Sequence, residues 1–460
     1  MAETLAIFGG NKIVQENMKT NWPIITKADE DAVMGVIKRG ILFGAYAPEV
    51  SGLQDEFARY VGTKYCIAMN SGTAALHAAV MAAGAGPGDE VITTAFSFLA
   101  TAVAVLHHNA IPIFVDIRPD IYTIDPAQIE AKITEKTKAI IPVHIQGQPA
   151  DMDEIMAIAK KYNLAVIEDA CQSHGATYKG KMSGSIGDMG CFSTNATKNH
   201  PGGEGGLFVT DSEALRGRAN MVRMFGEFVK PSEGRNYKAY TMGWHYRTQE
   251  MAAAFARSQL KTLPEHTARS QRNGKFLVGE LAKINGVVPP VTLPDRTHVY
   301  HKFRVRLEPK KLGVNDMPEL QFRELIRVAL RAEGVDAVLW QTIPLPSQPL
   351  FQLREGYGSG CPWTCPHARN GIVYDVNDYP ETVRLLNNSI VICSEMYPIF
   401  AQNMELMEAY VAAFGKVFDN LDELLDKKDQ ILGRKDVILE GIFAGEATTS
   451  GVGVDREYRK

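Results

Sequence analysis

EVITTAFSFLATAVAVLHHNAIPIFVD, residues 90–116, carries no Asp, Glu, Lys or Arg between its terminal Glu90 and Asp116. An uncharged run of this length first raises a membrane span, which needs about 20 consecutive apolar residues. Thr93, Thr94, Ser97, His107, His108, Asn109 and Pro112 interrupt it, and it divides into a strand, a helix and a second strand. It therefore reads as a buried α/β unit. Two strands joined by a helical crossover lie parallel.

Outward from this unit the pattern repeats. YCIAM (65–69), AIIPV (139–143), LAVIED (164–169), GCFS (190–193) and GLFVT (206–210) are short, continuously apolar runs. Continuous apolarity is what strands covered on both faces require. Amphipathic stretches such as TAALHAAVMAAG and DMDEIMAIAKKY lie between them. The expected fold class is α/β, with a mainly parallel central sheet and helices on both faces. Residues 248–262 and 266–284 read as two further helices, and VVPPVTLPD (287–295) marks a boundary. Beyond it, HKFRVRL (301–307) alternates as a half-buried strand, PELQFRELIRVALRAEG reads as a helix, and MELMEAYVAAFGKVFDNLDELLDKK reads as one long final helix. The expected division is a large domain with its N-terminal segment (1–285), a smaller C-terminal α/β domain (286–430) and a C-terminal extension (431–460) that frays from about residue 444.

Lys and Arg number 49 against 53 Asp and Glu, a net charge of −4 with no long basic block, so nucleic acid and anionic membrane are poor partners. Six cysteines in 460 residues do not make a small disulfide framework. A reducing cytoplasm is expected. The opening MAETLAIFGGNKIV has no basic region leading into an apolar stretch, so no signal peptide is expected.

Parallel sheets bind ligands beyond the carboxyl ends of their strands. The residues there are Asn70–Thr73, Phe96–Thr101, His144, Asp169–Gln172 and Ser193–Lys198. In NSGTAALHAA, Gly72 permits close approach of a ligand and the first helical amides attract an anion, although Ser71 or Thr73 as an ordinary helix cap explains the same text. Asp169 at the end of LAVIED is either a solvated or capping carboxylate or the partner of a cationic ring nitrogen, with Gln172 in reach of a neighbouring ring oxygen. STNATKNHPGGEGG (193–206) sets Lys198 before its glycines, the reverse of a nucleotide loop. AGAGPGDE (83–90) follows a helix and precedes a strand, so it is a cap and turn. Cys361, Cys365 and His367 lack a matching second pair, and packed thiols explain them better than zinc. His107 and His108 read as capping and packing residues. No metal site is expected.

Taken in order, SGTAAL, FSFLAT, DIRPDIYTIDP, HIQGQPADMD, VIEDACQSHGA, FSTNATKNHPGGEGGLFVTD and GWHYRTQEMAAAFARSQL resemble the DegT/StrS-type sugar aminotransferases, from about residue 20 to 425. The resemblance implies fold type I and pyridoxal 5'-phosphate. It implies that Lys198 forms the Schiff base with the cofactor, that Gly72, Thr73 and Ser193 hold the phosphate, and that Phe98 stacks on the pyridine ring. Asp169 falls where a carboxylate pairs with the ring nitrogen, and Gln172 where an amide meets the ring hydroxyl. The family's Gly-x-Asn-Tyr-Arg motif reads GWHYR here, which puts His245 where an Asn reaches the phosphate of the neighbouring subunit and implies a homodimer with shared active sites. LPSQPLF (345–351) lacks the histidine that many relatives carry after Pro-Leu. The implied reaction is ping-pong transfer of an amino group, through pyridoxamine phosphate, from glutamate or glutamine to a keto-sugar or keto-cyclitol. The insertion around 350–385 and IFGGNKIV lean toward the cyclitol and amino-sugar antibiotic branch. Three alternatives stand beside it: a sugar 3-dehydratase, which carries histidine in place of the lysine; an enzyme eliminating, dehydrating or forming a carbon bond on the same scaffold; and a cofactor-binding sensor without turnover.

Overall fold

The computed structural model describes residues 3–229 and 237–439. Within them the apolar runs become strands β1 (Tyr65–Met69), β2 (Glu90–Thr94), β3 (Ile111–Val115), β4 (Thr137–Ile141) and β5 (Ala165–Asp169). After a small ribbon of β6 (Thr177–Tyr178) and β7 (Lys181–Met182) come β8 (Met189–Ser193) and β9 (Gly206–Thr210). Seven of these form one sheet in the order β1-β9-β8-β5-β4-β2-β3. The pairings among β8, β5, β4, β2 and β3 are parallel, and β9 runs antiparallel to both its neighbours. The reason for the reversal is local: β8 and β9 are joined by a hairpin, Ser193 opposite Gly206, whereas a parallel return needs a longer crossover.

Residues 90–116 are β2, the helix Ala100–Leu106 and β3. Among the described residues no helix is long and apolar enough to cross a membrane. The strands are apolar throughout because both faces are covered. Ile67, Met69, Cys191 and Phe208 pack with the alanine-rich helix Gly72–Ala82. Their neighbours Cys66, Ala68, Phe192, Leu207 and Val209 pack with the helices Pro48–Val61 and Glu250–Leu260 on the other face. The fold is the α/β fold expected from the runs.

A second, antiparallel sheet joins β10 (Val287–Val288), β11 (Phe303–Leu307), β13 (Ser389–Ile392) and β12 (Ala337–Val338), in that order. The helices Glu319–Ala332 and Met404–Asp419 share its core, as do Leu5, Val14 and Trp22 from the N-terminal segment and Leu277 and Leu281 from the end of the helix Leu263–Leu281.

Two expectations are corrected here. β11 is not half-buried: it is an interior strand, and Arg304 on it is 1 % exposed. The alternation of charge misleads because the guanidinium is satisfied inside, by Ser389 Oγ and Trp340 O, both at 2.7 Å. The final helix is not continuous either. It stops at Asn420, whose side chain donates to Lys416 O (2.8 Å), and resumes as Leu421–Asp426 and Lys428–Leu432. Such side-chain bonds compete with the helical ladder. Most of the C-terminal extension, from residue 440, lies outside the described residues.

Candidate active site

Beyond the carboxyl ends of β5 and β8, and against the first turn of the helix that follows β1, lies a cavity of about 350 Å³. Gly72, Thr73, Phe98, Asp169, Gln172, Ser193 and Lys198 all line it. Sequence reasoning took them from four separate segments, and the fold brings them to one place.

At Gly72 a Cβ would stand 2.9 Å from Ser193 Cβ and 3.0 Å from Cys171 Sγ, so only glycine lets the helix start this close to the strand ends. Ser71 caps that helix by accepting from the Ala74 amide at 3.0 Å. The cap reading is thus right for Ser71, and it leaves Gly72 and Thr73 in the first turn, whose amides have no intrahelical acceptor. Such amides favour an anion.

The adjacent carboxylates Glu168 and Asp169 have opposite fates, because successive strand residues face opposite ways. Glu168 is fully buried and accepts from the Gly184, Ile186 and Gly187 amides at 2.6–2.7 Å. His144 Nδ1 accepts from the Ala150 amide (3.1 Å), so its Nε2 carries the proton and donates to Glu168 at 2.8 Å. His144, at a strand end, is therefore absorbed by the scaffold. Asp169 is 5 % exposed and lines the cavity. Its Oδ2 accepts from Thr101 Oγ1 (2.7 Å) and its Oδ1 from the Cys171 amide (3.2 Å), and among the described residues no Lys, Arg or His pairs with it. A buried carboxylate without a cation is costly, so this one is suited to a cationic group arriving in the cavity.

Gln172 Oε1 accepts from the Gln146 amide at 2.8 Å, which turns the side-chain NH₂ into a free donor. Phe98 is 56 % exposed at the cavity edge, an apolar ring with one face open. Lys198 sits in the β8–β9 hairpin, which is stitched by Thr194 N–H to Gly205 O (2.9 Å), Ala196 N–H to Gly203 O and Gly202 N–H to Thr194 O (both 2.7 Å). At Gly205 a Cβ would lie 2.3 Å from Thr194 Oγ1, so the turn requires glycine there. Trp22 Nε1 donates to Lys198 O at 3.2 Å and holds the lysine backbone from the far side. Lys198 Nζ makes no hydrogen bond or ion pair among the described residues, so a nucleophilic amine stands in the cavity unclaimed.

His245 is not with the other seven. It is exposed, pairs with Met224 in an isolated bridge, stacks on Phe225 (centroids 5.4 Å apart), and its Nε2 lies 2.7 Å from Arg247 Nη2. Partial burial, and then the Arg247 charge, hold its pKa below the usual histidine value.

A family model described as the DegT/DnrJ/EryC1/StrS aminotransferase family matches residues 23–376. The chain belongs to this family. It is 37 % identical over 323 residues to the UDP-2-acetamido-2-deoxy-3-oxo-D-glucuronate aminotransferase of Pseudomonas aeruginosa, covering 70 % of this chain and 84 % of that one. It is 33 % identical over 342 residues to a Streptoalloteichus tenebrarius protein provisionally named L-glutamine:3-amino-2,3-dideoxy-scyllo-inosose aminotransferase, with 73 % and 80 % covered. Among solved structures, S. venezuelae DesV in complex with a ketimine intermediate superposes with a TM-score of 0.71 at 29 % identity, over 85 % of this chain and 93 % of that one.

In this family member the remaining cavity wall comes from residues that sequence reasoning missed. Trp340 and Glu395 line the cavity from the segments beside β12 and β13. Trp340 packs edge-on to Phe96 (5.7 Å), and Glu395 pairs with Lys302. No local pattern signals them, since neither ends an apolar run of the large sheet. The other candidates stay apart from the cavity. Cys361 Sγ faces Asn109 Oδ1 (3.9 Å), and His107 and His108 pack around His77. Among the described residues no three His, Cys, Asp or Glu side chains converge as metal ligands would.

Proposed function

We propose that this aminotransferase uses pyridoxal 5'-phosphate to move an amino group from glutamate or glutamine to a keto-sugar or keto-cyclitol, in ping-pong order. The observation that carries the reading is a single cavity holding the unpaired Lys198 amine and the Asp169 carboxylate without a cation, beside an open Phe98 face and the first turn of a helix. That donor set fits the cofactor: an aldehyde for the amine, a pyridinium for the carboxylate, a ring for the phenyl face and a phosphate for the helix start. The relatives named for a 3-oxo-glucuronate sugar and for an inosose support the substrate class.

When bound, the cofactor would supply an electrophilic carbon for amines, an electron sink for the carbanion within each half-reaction, and a carrier of the amino group between them. Lys198 would hold it covalently and, once displaced by the donor, act through Nζ as general base and then general acid on the donor α-carbon proton. Asp169 would keep the ring nitrogen protonated, with Thr101 orienting its Oδ2. Gln172 would donate to the ring hydroxyl. The Gly72 and Thr73 amides and the Thr73 and Ser193 hydroxyls would hold the phosphate.

The enzyme works as a homodimer in which His245 of one copy reaches the phosphate of the other. Support comes from large apolar side chains left exposed: Phe43 is 79 %, Met242 70 % and Tyr240 65 % exposed. Such patches mark interfaces. Six free thiols support a reducing compartment, the cytoplasm. The test is the absorption spectrum of the purified protein. A visible cofactor band that bleaches with L-glutamine or L-glutamate, and returns with a keto-sugar or keto-cyclitol, is expected; a band that no amino donor bleaches would sink the reading.

A further inference from the structure

Glu395, on one wall of the cavity, is half of an ion pair whose two members are held very differently. Lys302 Nζ lies 2.9 Å from Glu395 Oε1, with the lysine side chain 2 % exposed and the glutamate 49 %. The ammonium is also 6.0 Å from the centroid of the Trp340 ring, which lines the cavity as Glu395 does. The backbone on either side of Glu395 is pinned: the Ser394 amide donates to Asp336 at 2.6 Å, and Met396 O accepts from the Trp22 amide at 3.0 Å. Only the Glu395 side chain is free to swing. Burial pushes the Lys302 pKa down to about 8 against the pull of Glu395, and the Lys198 charge acts on both members. Removing the glutamate would leave a buried ammonium without a carboxylate in contact, so another carboxylate arriving from the cavity can take its place.

Both substrates of a ping-pong aminotransferase visit the same cavity. The amino donor always brings a carboxylate; a keto-cyclitol or neutral keto-sugar, unlike a keto-uronate, does not. We propose that Lys302 is the receptor for a carboxylate of the amino donor and that Glu395 is its exchangeable stand-in. The donor displaces Glu395 from Lys302 in one half-reaction. In the other, Glu395 returns to Lys302 and offers its second oxygen to the ketone's hydroxyls. The inference rests on the amino-acid-dependent function proposed above.

The test is calorimetric titration of the holoenzyme with glutarate, a dicarboxylate without an amino group. Glu395→Gln removes the competitor and is expected to tighten glutarate about tenfold; Lys302→Met is expected to weaken it by at least about tenfold, with Lys302→Arg recovering most of it. The donor KM should move the same way in each variant, while the ketone KM rises in Glu395→Gln. An ion pair that is only structural would shift both single variants in one direction, and that outcome, or a change under about twofold in both, overturns the inference. Glu395 is half exposed, so its variant stands as a test even if Lys302→Met does not fold. A wild-type cofactor band that no amino donor bleaches defeats the functional reading; a responsive wild type whose variants keep the wild-type glutarate affinity defeats only this inference.

Discussion

The two walls of the cavity are built by different means. One wall is made of strand ends and helix starts of the large sheet, where Asp169 ends β5, Ser193 ends β8 and Gly72 opens a helix. The other is made of Trp340 and Glu395, with the buried Lys302 behind Glu395, all from the second sheet and its connections. On the first wall the side chains stand at the ends of strands and the starts of helices, with partners such as Thr101 and Gln146 fixing Asp169 and Gln172, and they present groups suited to a cofactor. On the second, a half-exposed glutamate pairs with a buried lysine 93 residues away along the chain.

The largest expected effect tests whether the first wall carries the chemistry. Lys198→Ala should lower kcat by at least about 10³-fold and abolish the covalent cofactor band. Retention of that band would break the assignment and with it the contrast between the walls.

A second test separates scaffold from chemistry within the first wall. Glu168→Ala leaves three buried amides and His144 without their acceptor, at about 1–3 kcal/mol each, so Tm should fall sharply or folding fail. Asp169→Ala should move Tm far less yet cut turnover by at least about 10²-fold. Equal losses of Tm in the two variants would erase the distinction drawn between these neighbours.

The smallest effect per group concerns pH. Burial lowers the pKa of His200 to about 4 and of His298 to about 3, and holds His174 and His301 well below the usual value. The folded state thus binds fewer protons than the unfolded state between those values and about 6.5, so stability is intact above pH 6.5 and is lost as pH falls below it, by about 1 kcal/mol per histidine per pH unit. Tm should therefore drop between pH 7.5 and 5.5; a flat profile would show these rings to be protonated or solvated. His200 is part of the Lys198 hairpin and packs on His174, while His298 and His301 precede β11, His301 also bonding Asn199 of the hairpin. Substituting each pair separately tells which wall gives way first in acid.

What could be read from the chain alone follows from periodicity and position. Continuously apolar runs located all seven strands of the large sheet, because strands buried on both faces tolerate little else. Residues just beyond those runs then included seven of the eight candidates that now share the cavity. The eighth, His245, lies apart within its own chain, where an interface rather than a fold would bring it into use.

Where side-chain chemistry is satisfied by distant partners, local text misleads or is silent. Arg304 looks like the wet side of an alternating strand, yet Ser389 and Trp340 neutralise the cost of burying it. Lys302 and Glu395 lie 93 residues apart, and Trp22 reaches the Lys198 carbonyl across 176. The sequence by itself therefore determined the class of fold, the order of its large sheet's strands along the chain and the segments whose residues line the cavity, Lys198 among them. Tertiary structure alone decided which carboxylate of Glu168 and Asp169 faces the cavity, that a second sheet closes it, and that a buried cation waits there behind an exposed acid. The physical reason is range: strand and cap signals act over a few residues, whereas burial and ion pairing depend on whatever the fold brings within a few ångströms.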